Sequence, residues 1–190
     1  MTPTHCRSRF SSHFLIQGTV LVVIAMLCLT SIASSASPPG FKLKDLQGDW
    51  FTLGDHLGKE VIYVTFWATW CVPCRREMPH LQKMAEEFED QGFLVIGVNT
   101  DPPATKSKIK PYLRRLKITY KNLLDPDNNV LDKYNPTREL PYAVLIGRDG
   151  NVHEIFPGYR AGDEIRLQKA VELLLESDAA EEQPASGDAS

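Results

Sequence analysis

The segment Thr65-Phe66-Trp67-Ala68-Thr69-Trp70-Cys71-Val72-Pro73-Cys74-Arg75-Arg76-Glu77-Met78-Pro79 joins two kinds of sequence. Its first residues close an apolar, β-branched and aromatic run, 61–67, of the kind that forms a buried strand. Its last residues open a polar stretch, 75–90, in which Met78, Leu81, Met84, Ala85 and Phe88 recur close to one helical face. A pair of cysteines two residues apart sits at the junction, with Cys71 just ahead of the first helical turn and Cys74 inside it. Pro73 suits that turn, because the N–H it lacks would have had no intrahelical partner.

This placement has chemical consequences. The free N–H groups and the positive dipole end of a helix favour a thiolate at Cys71. Thiols so placed titrate at roughly 3.5–7.5, against about 8.5 for a free cysteine. Cys74, one turn deeper, is expected to be less exposed and to act as the resolving thiol. The pair can close a disulfide, or open one in a partner through a mixed disulfide on Cys71. Zinc binding fits poorly, since no second cysteine pair follows and only His80 lies nearby. A purely structural staple fits poorly too, because a link between such close residues constrains the unfolded chain little. Redox chemistry is the reading, with no metal or cofactor required.

Phe66-Trp67-Ala68-Thr69-Trp70-Cys71-x-Pro73-Cys74 resembles the active-site signature of the thioredoxin superfamily. Its continuation, Arg75-Arg76-Glu77-Met78-Pro79, resembles the TlpA/ResA-like branch, the exported or membrane-tethered thiol–disulfide oxidoreductases of bacteria. The resemblance covers residues 41–176. It implies an α/β, thioredoxin-like fold: a central mixed sheet flanked by helices, with an N-terminal β-hairpin and a central βα-type insertion. It implies reduction of protein disulfides, with apocytochrome c in cytochrome c maturation as a natural substrate. A membrane thiol reductase of the DsbD/CcdA type would recharge the dithiol.

The resemblance also assigns roles to further residues. Glu77 matches an acid that sits in a cavity beside the thiols and takes part in proton transfer. Read from the residues alone, it is a glutamate complementing the helix N-terminus. The buried aspartate of thioredoxin itself is replaced here by Thr65, which shifts the proton role toward Glu77. Pro141, read alone, opens an apolar strand as a trans residue. The resemblance instead makes it a cis proline facing the disulfide, with the Leu140 backbone pairing to an extended substrate segment. Trp67 and Trp70 either pack around the disulfide and shape access, Trp70 contacting substrate, or serve as core aromatics.

The 190 residues allow one domain with terminal extensions. A net charge of −3 gives nucleic-acid binding no support. Residues 1–13 carry Arg7 and Arg9 without acids, residues 14–29 are apolar, and small residues dominate 30–37. Basic, apolar, small is the order of a secretory signal, here residues 1–36, cleaved after Ala36. The apolar run falls between signal and transmembrane lengths, so a retained membrane tether through 14–29 fits as well. Either way the folded part is expected outside the cytoplasm, periplasmic or membrane-anchored. Of the four cysteines, Cys6 and Cys28 belong to this leader.

Residues 37–40 read as a linker, and 41–53 as a hairpin around Gln47-Gly48-Asp49. A helical turn over 54–59 follows, capped by Asp55, with His56 as a surface residue of no assigned chemistry. Residues 93–98 read as a second buried strand, whose Asn99-Thr100-Asp101-Pro102-Pro103 loop shares the sheet edge with Cys71. A helix over 104–116 presents Lys106, Lys108, Lys110, Arg114 and Arg115, followed by Lys117, as a solvated face, with a docking face for an acidic partner as the alternative. A strand at 120–124, a short helix at 130–134 and a hairpin of 141–146 with 152–156 complete the sheet. A last helix, 164–176, and a disordered acidic tail, 177–190, end the chain.

Two other functions are weighed on spacing. A peroxiredoxin-like thiol peroxidase needs Pro-x-x-x-Thr-x-x-Cys, and Val64 and Ala68 occupy the Pro and Thr positions. A copper carrier of this superfamily uses Cys-x-x-x-Cys with a distant histidine, and Cys71 and Cys74 are one residue too close. A redox-inert module would not need both cysteines.

Overall fold

The computed structural model describes residues 36–181. Residues 1–35 of the expected leader, with Cys6 and Cys28, and residues 182–190 of the expected tail lie outside the described residues. Seven strands form one sheet in the order β2-β1-β5-β4-β3-β6-β7. They are β1 (Lys42–Asp45), β2 (Trp50–Thr52), β3 (Val61–Trp67), β4 (Phe93–Asn99), β5 (Lys121–Leu124), β6 (Tyr142–Ile146) and β7 (Val152–Pro157). The helices are α1 (Val72–Glu87), α2 (Lys106–Leu116), α3 (Leu131–Tyr134) and α4 (Asp163–Glu181). β3, β4 and β5 run parallel, and every other pairing is antiparallel. This is the thioredoxin-like arrangement, with the β1–β2 hairpin added at one edge and joined to the core through β5 of the insertion.

β3 is buried along its whole length, as its unbroken apolar run requires. Alternation sends Val61, Tyr63 and Trp67 into one core, shared with α1, α2 and α4. It sends Ile62, Val64 and Phe66 into the other, closed by Phe41, Phe51, Leu53 and the α3 residues Leu131 and Tyr134. Each such side chain contributes about 1.5–3 kcal/mol by leaving water. Strand and helix are therefore held rigidly at the point where they meet.

α1 begins directly after Cys71, with Pro73 and Cys74 in its first turn as the placement of the cysteine pair led one to expect. It ends at Glu87, and a 3₁₀ turn, Glu89–Gln91, leads to Gly92 at φ 79°, where a side chain would be strained. α2 is preceded by its own 3₁₀ turn, Pro103–Thr105, and stops at Lys117, a non-glycine residue at φ 56°. The expected turn over 54–59 is a 3₁₀ turn, Leu53–Asp55, with Asp55 inside it rather than capping it. His56 is not a bare surface residue: it stacks on Phe51, ring centroids 4.6 Å apart, and its Nδ1 lies 2.6 Å from Glu60 Oε2. α4 runs through Glu181, so the first five residues of the expected tail are helical.

The hairpin turn is organised by Asp45, whose Oδ1 accepts the N–H groups of Gln47, Gly48 and Asp49 at 2.8, 2.9 and 3.0 Å. Ahead of β1, the chain is pinned along the sheet. Val152 N–H donates to the Ala36 carbonyl (3.0 Å), and the Tyr134 hydroxyl donates to the Pro39 carbonyl (2.6 Å). No described helix is long and apolar enough to cross a membrane.

Candidate active site

Cys71 is the N-cap of α1, and its sulfur accepts the backbone N–H of Cys74 at 3.2 Å. The two sulfurs are bonded, with the Cα atoms 5.4 Å apart. Cys71 is 3% exposed and Cys74 1%, so the expected order holds but the difference is small. Both cysteines are thus almost wholly covered, Cys71 marginally less so.

The turn between β3 and α1 is clamped from β4. Asp101 accepts the Thr69 N–H (2.8 Å) and the Thr69 hydroxyl (2.9 Å), and Asn99 Nδ2 donates to the same carboxylate at 2.7 Å. Thr100 N–H reaches the Trp67 carbonyl (2.9 Å), and Cys71 N–H the Ala68 carbonyl (3.0 Å). The sequence placed Asp101 on the right edge but assigned it no part. Its signal was a buried-strand terminus followed by Asn-x-Asp, which only the parallel register of Trp67 opposite Asn99 brings against Thr69.

Glu77 lies one turn inside α1, 5% exposed. Tyr63 Oη donates to its Oε1 (2.8 Å), and Thr65 Oγ1 to its Oε2 (3.3 Å), both from β3. Burial raises its pKa to about 7; the Tyr63 and Thr65 bonds pull it down, and the negative charge of Asp163 pushes it up. Beside it is a cavity with room for about one water, also lined by His80, Tyr159, Asp163 and Glu164. Thr65 thus stands where the resemblance to thioredoxin led one to look for an acid, and it bonds the acid that α1 supplies instead.

The two tryptophans divide. Trp67 is buried in the core that contains both cysteines, stacks on Tyr112 and donates its indole N–H to Asn122 Oδ1 (3.0 Å). Gly97 of β4 makes room for this bond, since a Cβ there would fall 2.4 Å from Asn122 Oδ1. Trp70 is 67% exposed. It lines an open groove with Leu140, Tyr142, Arg138 and Pro157, next to the end of the sheet from which Cys71 emerges. The Leu140–Pro141 peptide is cis. Pro141 is buried directly before β6, whose Tyr142 pairs with Phe66 at the active-site end of β3. The preceding loop is fixed by Asn135, which accepts from Thr137 and donates to the Glu139 carbonyl, and by a two-pronged Arg138–Asp132 pair at 2.6 Å.

On α2, Lys106, Lys108, Lys110, Arg114 and Arg115 are exposed, as a solvated face should be. Among the described residues no group of three or more His, Cys, Asp or Glu is placed to hold a metal ion.

The chain is similar to known proteins in sequence and in fold. The sequence pattern of the AhpC/TSA family matches residues 35–155, nearly two thirds of the chain. The chain belongs to the AhpC/TSA family. Within it, the similarity is to dithiol enzymes. The chain is 34% identical over 136 residues to thiol-disulfide oxidoreductase ResA of Geobacillus kaustophilus, covering 72% of this chain and 76% of that protein. It is 31% identical over 155 residues to the ResA of Bacillus subtilis, covering 76% and 84%. A putative thiol:disulfide interchange protein DsbE from Chlorobium tepidum superposes with a TM-score of 0.68 at 28% identity, over 76% of this chain and 99% of that one. This AhpC/TSA member is a thiol–disulfide oxidoreductase of the ResA-like kind, acting on protein disulfides. The peroxidatic Pro and Thr remain absent at Val64 and Ala68.

Proposed function

We propose that the protein is an exported reductant of selected protein disulfides, with Cys71 as attacking nucleophile and Cys74 as resolving thiol. The observation that carries this is the Cys71–Cys74 disulfide capping α1, with a buried carboxyl of near-neutral pKa one turn below it. In the reduced protein the Cys71 thiolate attacks one sulfur of the substrate disulfide and expels the other as thiolate. Cys74 gives its proton to the Glu77 carboxylate and attacks Cys71 Sγ, which re-forms the disulfide and releases the second substrate sulfur. Two electrons pass from the dithiol to the substrate. An acid that titrates near pH 7 suits the step, since it can both take and return a proton at working pH. An extended substrate segment lies along Leu140 and Pro141 and covers Trp70.

Apocytochrome c, whose thiols must be reduced before haem attachment, is the substrate we favour, and a membrane thiol reductase of the DsbD/CcdA type the electron source. The basic–apolar–small leader supports a place outside the cytoplasm.

The test is the equilibrium reduction potential of the Cys71–Cys74 pair, titrated in dithiothreitol or glutathione buffers. A value near that of thioredoxin, about −270 mV, is expected. A value near about −120 mV would make the protein a disulfide donor and sink this reading.

A further inference from the structure

Tyr120 is 9% exposed, and its hydroxyl has no hydrogen-bond partner among the described residues. The rest of the residue is tied down. Its N–H donates to Gln82 Oε1 of α1 (3.3 Å), and its carbonyl accepts from Asn122 Nδ2 (2.9 Å). Buried hydroxyls in native proteins are nearly always paired, so one left alone asks for a reason.

Position supplies it. Val95 stands opposite Tyr63, and Ile96 opposite Lys121, so Tyr120 enters the sheet beside Val95. Side chains two apart share a face, and Tyr120 belongs to the same core cluster as Tyr63, Cys74 and Met78, under α1. Two phenols thus flank Val95 below the helix that carries Glu77. One is bonded to the carboxyl; the other is not.

We propose that Tyr120 is a positioning residue for Glu77, its hydroxyl kept as a third donor that engages the carboxyl when it ionises in the reduced protein. The proposal rests on the reading of Glu77 as proton acceptor for Cys74. An ionised carboxylate offers about four acceptor sites, and Tyr63 and Thr65 occupy two. A charged acceptor also binds a donor more strongly than a neutral one, so the bond is favoured most in the ionised state. The titratable groups around Glu77 are Tyr63 from β3, Tyr120 ahead of β5, Cys74 on its own helix, and His80, Tyr159, Asp163 and Glu164 around the cavity. Asp163 opposes ionisation, while the positive charge of Arg166 on α4 bears on Tyr63. The hydrogen bonds that reach the carboxyl come from neutral hydroxyls, Tyr63 and Thr65. Burial first, and the Glu77 charge second, keep the Tyr120 phenol protonated. It turns toward the carboxylate and neither gains nor loses a proton, which passes from Cys74 Sγ to a Glu77 oxygen.

The test is Tyr120→Phe, which removes one oxygen and no packing volume. In the reduced full-length protein, the Glu77 carboxyl is titrated by carbon NMR, with Tyr63→Phe as the scale for losing one donor. The expected result is a midpoint raised by about one pH unit in Tyr120→Phe. The pH profile of thiol exchange should move with it, and that movement should disappear when Glu77→Gln is added. An unchanged midpoint overturns the proposal, as does a variant that is merely more stable, the result expected of an idle buried hydroxyl. Failure of the underlying reading looks different. There Glu77→Gln alone leaves the exchange profile unmoved, while the NMR midpoint still decides whether Tyr120 serves the carboxyl.

Discussion

Asp45 and Glu77 are each 5% exposed, yet their carboxyls are driven in opposite directions. Burial opposes ionisation at both. At Asp45 it is outweighed by three backbone N–H donors and the Lys121 ammonium 3.3 Å away, and the pKa is lowered. At Glu77 two hydroxyls answer it only in part, and the pKa rises to about 7. Depth separates the two as well. Asp45 is covered by its own hairpin turn at the rim, whereas Glu77 lies between the central strand and two helices. A carboxylate shielded by its own turn is a structural anchor. One sunk under a helix with few donors keeps its proton up to near-neutral pH.

Glu77→Gln gives the largest expected effect on this contrast. Exchange with a protein disulfide at neutral pH should slow by about 100-fold, the lower range for a lost acid–base group, measured by stopped flow. The same variant tests the sign of the linkage. A pKa raised from 4.5 to about 7 means the folded state holds the proton more tightly than the unfolded one. The wild-type fold should thus lose about 3 kcal/mol from this group as pH rises from near 4.5 to above 7. Urea unfolding of Glu77→Gln should lack that decline. An equally steep decline would place the charge elsewhere.

Asp101→Ala comes next. Loss of the bonds to Thr69 and Asn99 should cost about 2 kcal/mol in urea unfolding and loosen the turn that carries Cys71. Faster alkylation of Cys71 in the reduced variant would report that loosening. Asp45→Ala should cost about 1 kcal/mol at pH 7, because the freed N–H groups lie near water. Its sign is opposite to that of Glu77. The stability Asp45 gives is present above its unfolded pKa and lost as pH falls through the lowered folded value, so variant and wild type should converge in acid. Trp70→Ala is the smallest in stability, within about 0.5 kcal/mol, since the ring is exposed. Its effect should appear as a higher KM for protein substrates, with little change for small disulfides.

The strand, the cysteine pair and the helix were legible because their signals are local. An apolar run, a proline at the first turn and a helical stripe lie within 30 consecutive residues. Glu77 was legible as a position, through the family resemblance, but its partners were not. Tyr63 reads as an ordinary strand aromatic until the helix lies across it. Asp101, Asn122 and Gly97 acquire meaning only from parallel pairing, which fixes residues some 30 to 55 positions apart and leaves no periodic trace. Lys117 and Arg138 hold positive φ without the glycine that would have announced it. The exposure of Trp70 was left open for another reason: an aromatic beside a cysteine pattern looks the same whether it fills a core or stands in solvent.

The bond from Val152 to Ala36 has one more consequence. Val152 pairs with Ile146, which pairs with Ile62 at the start of β3, while Cys71 follows the end of that strand. At about 3.3 Å per residue, the seven residues of β3 set these two poles on the order of 20 Å apart. Ala36 is held beside the start of β3, and the disulfide follows its end. The point where the described chain begins and the cysteine pair thus lie at opposite ends of the central strand.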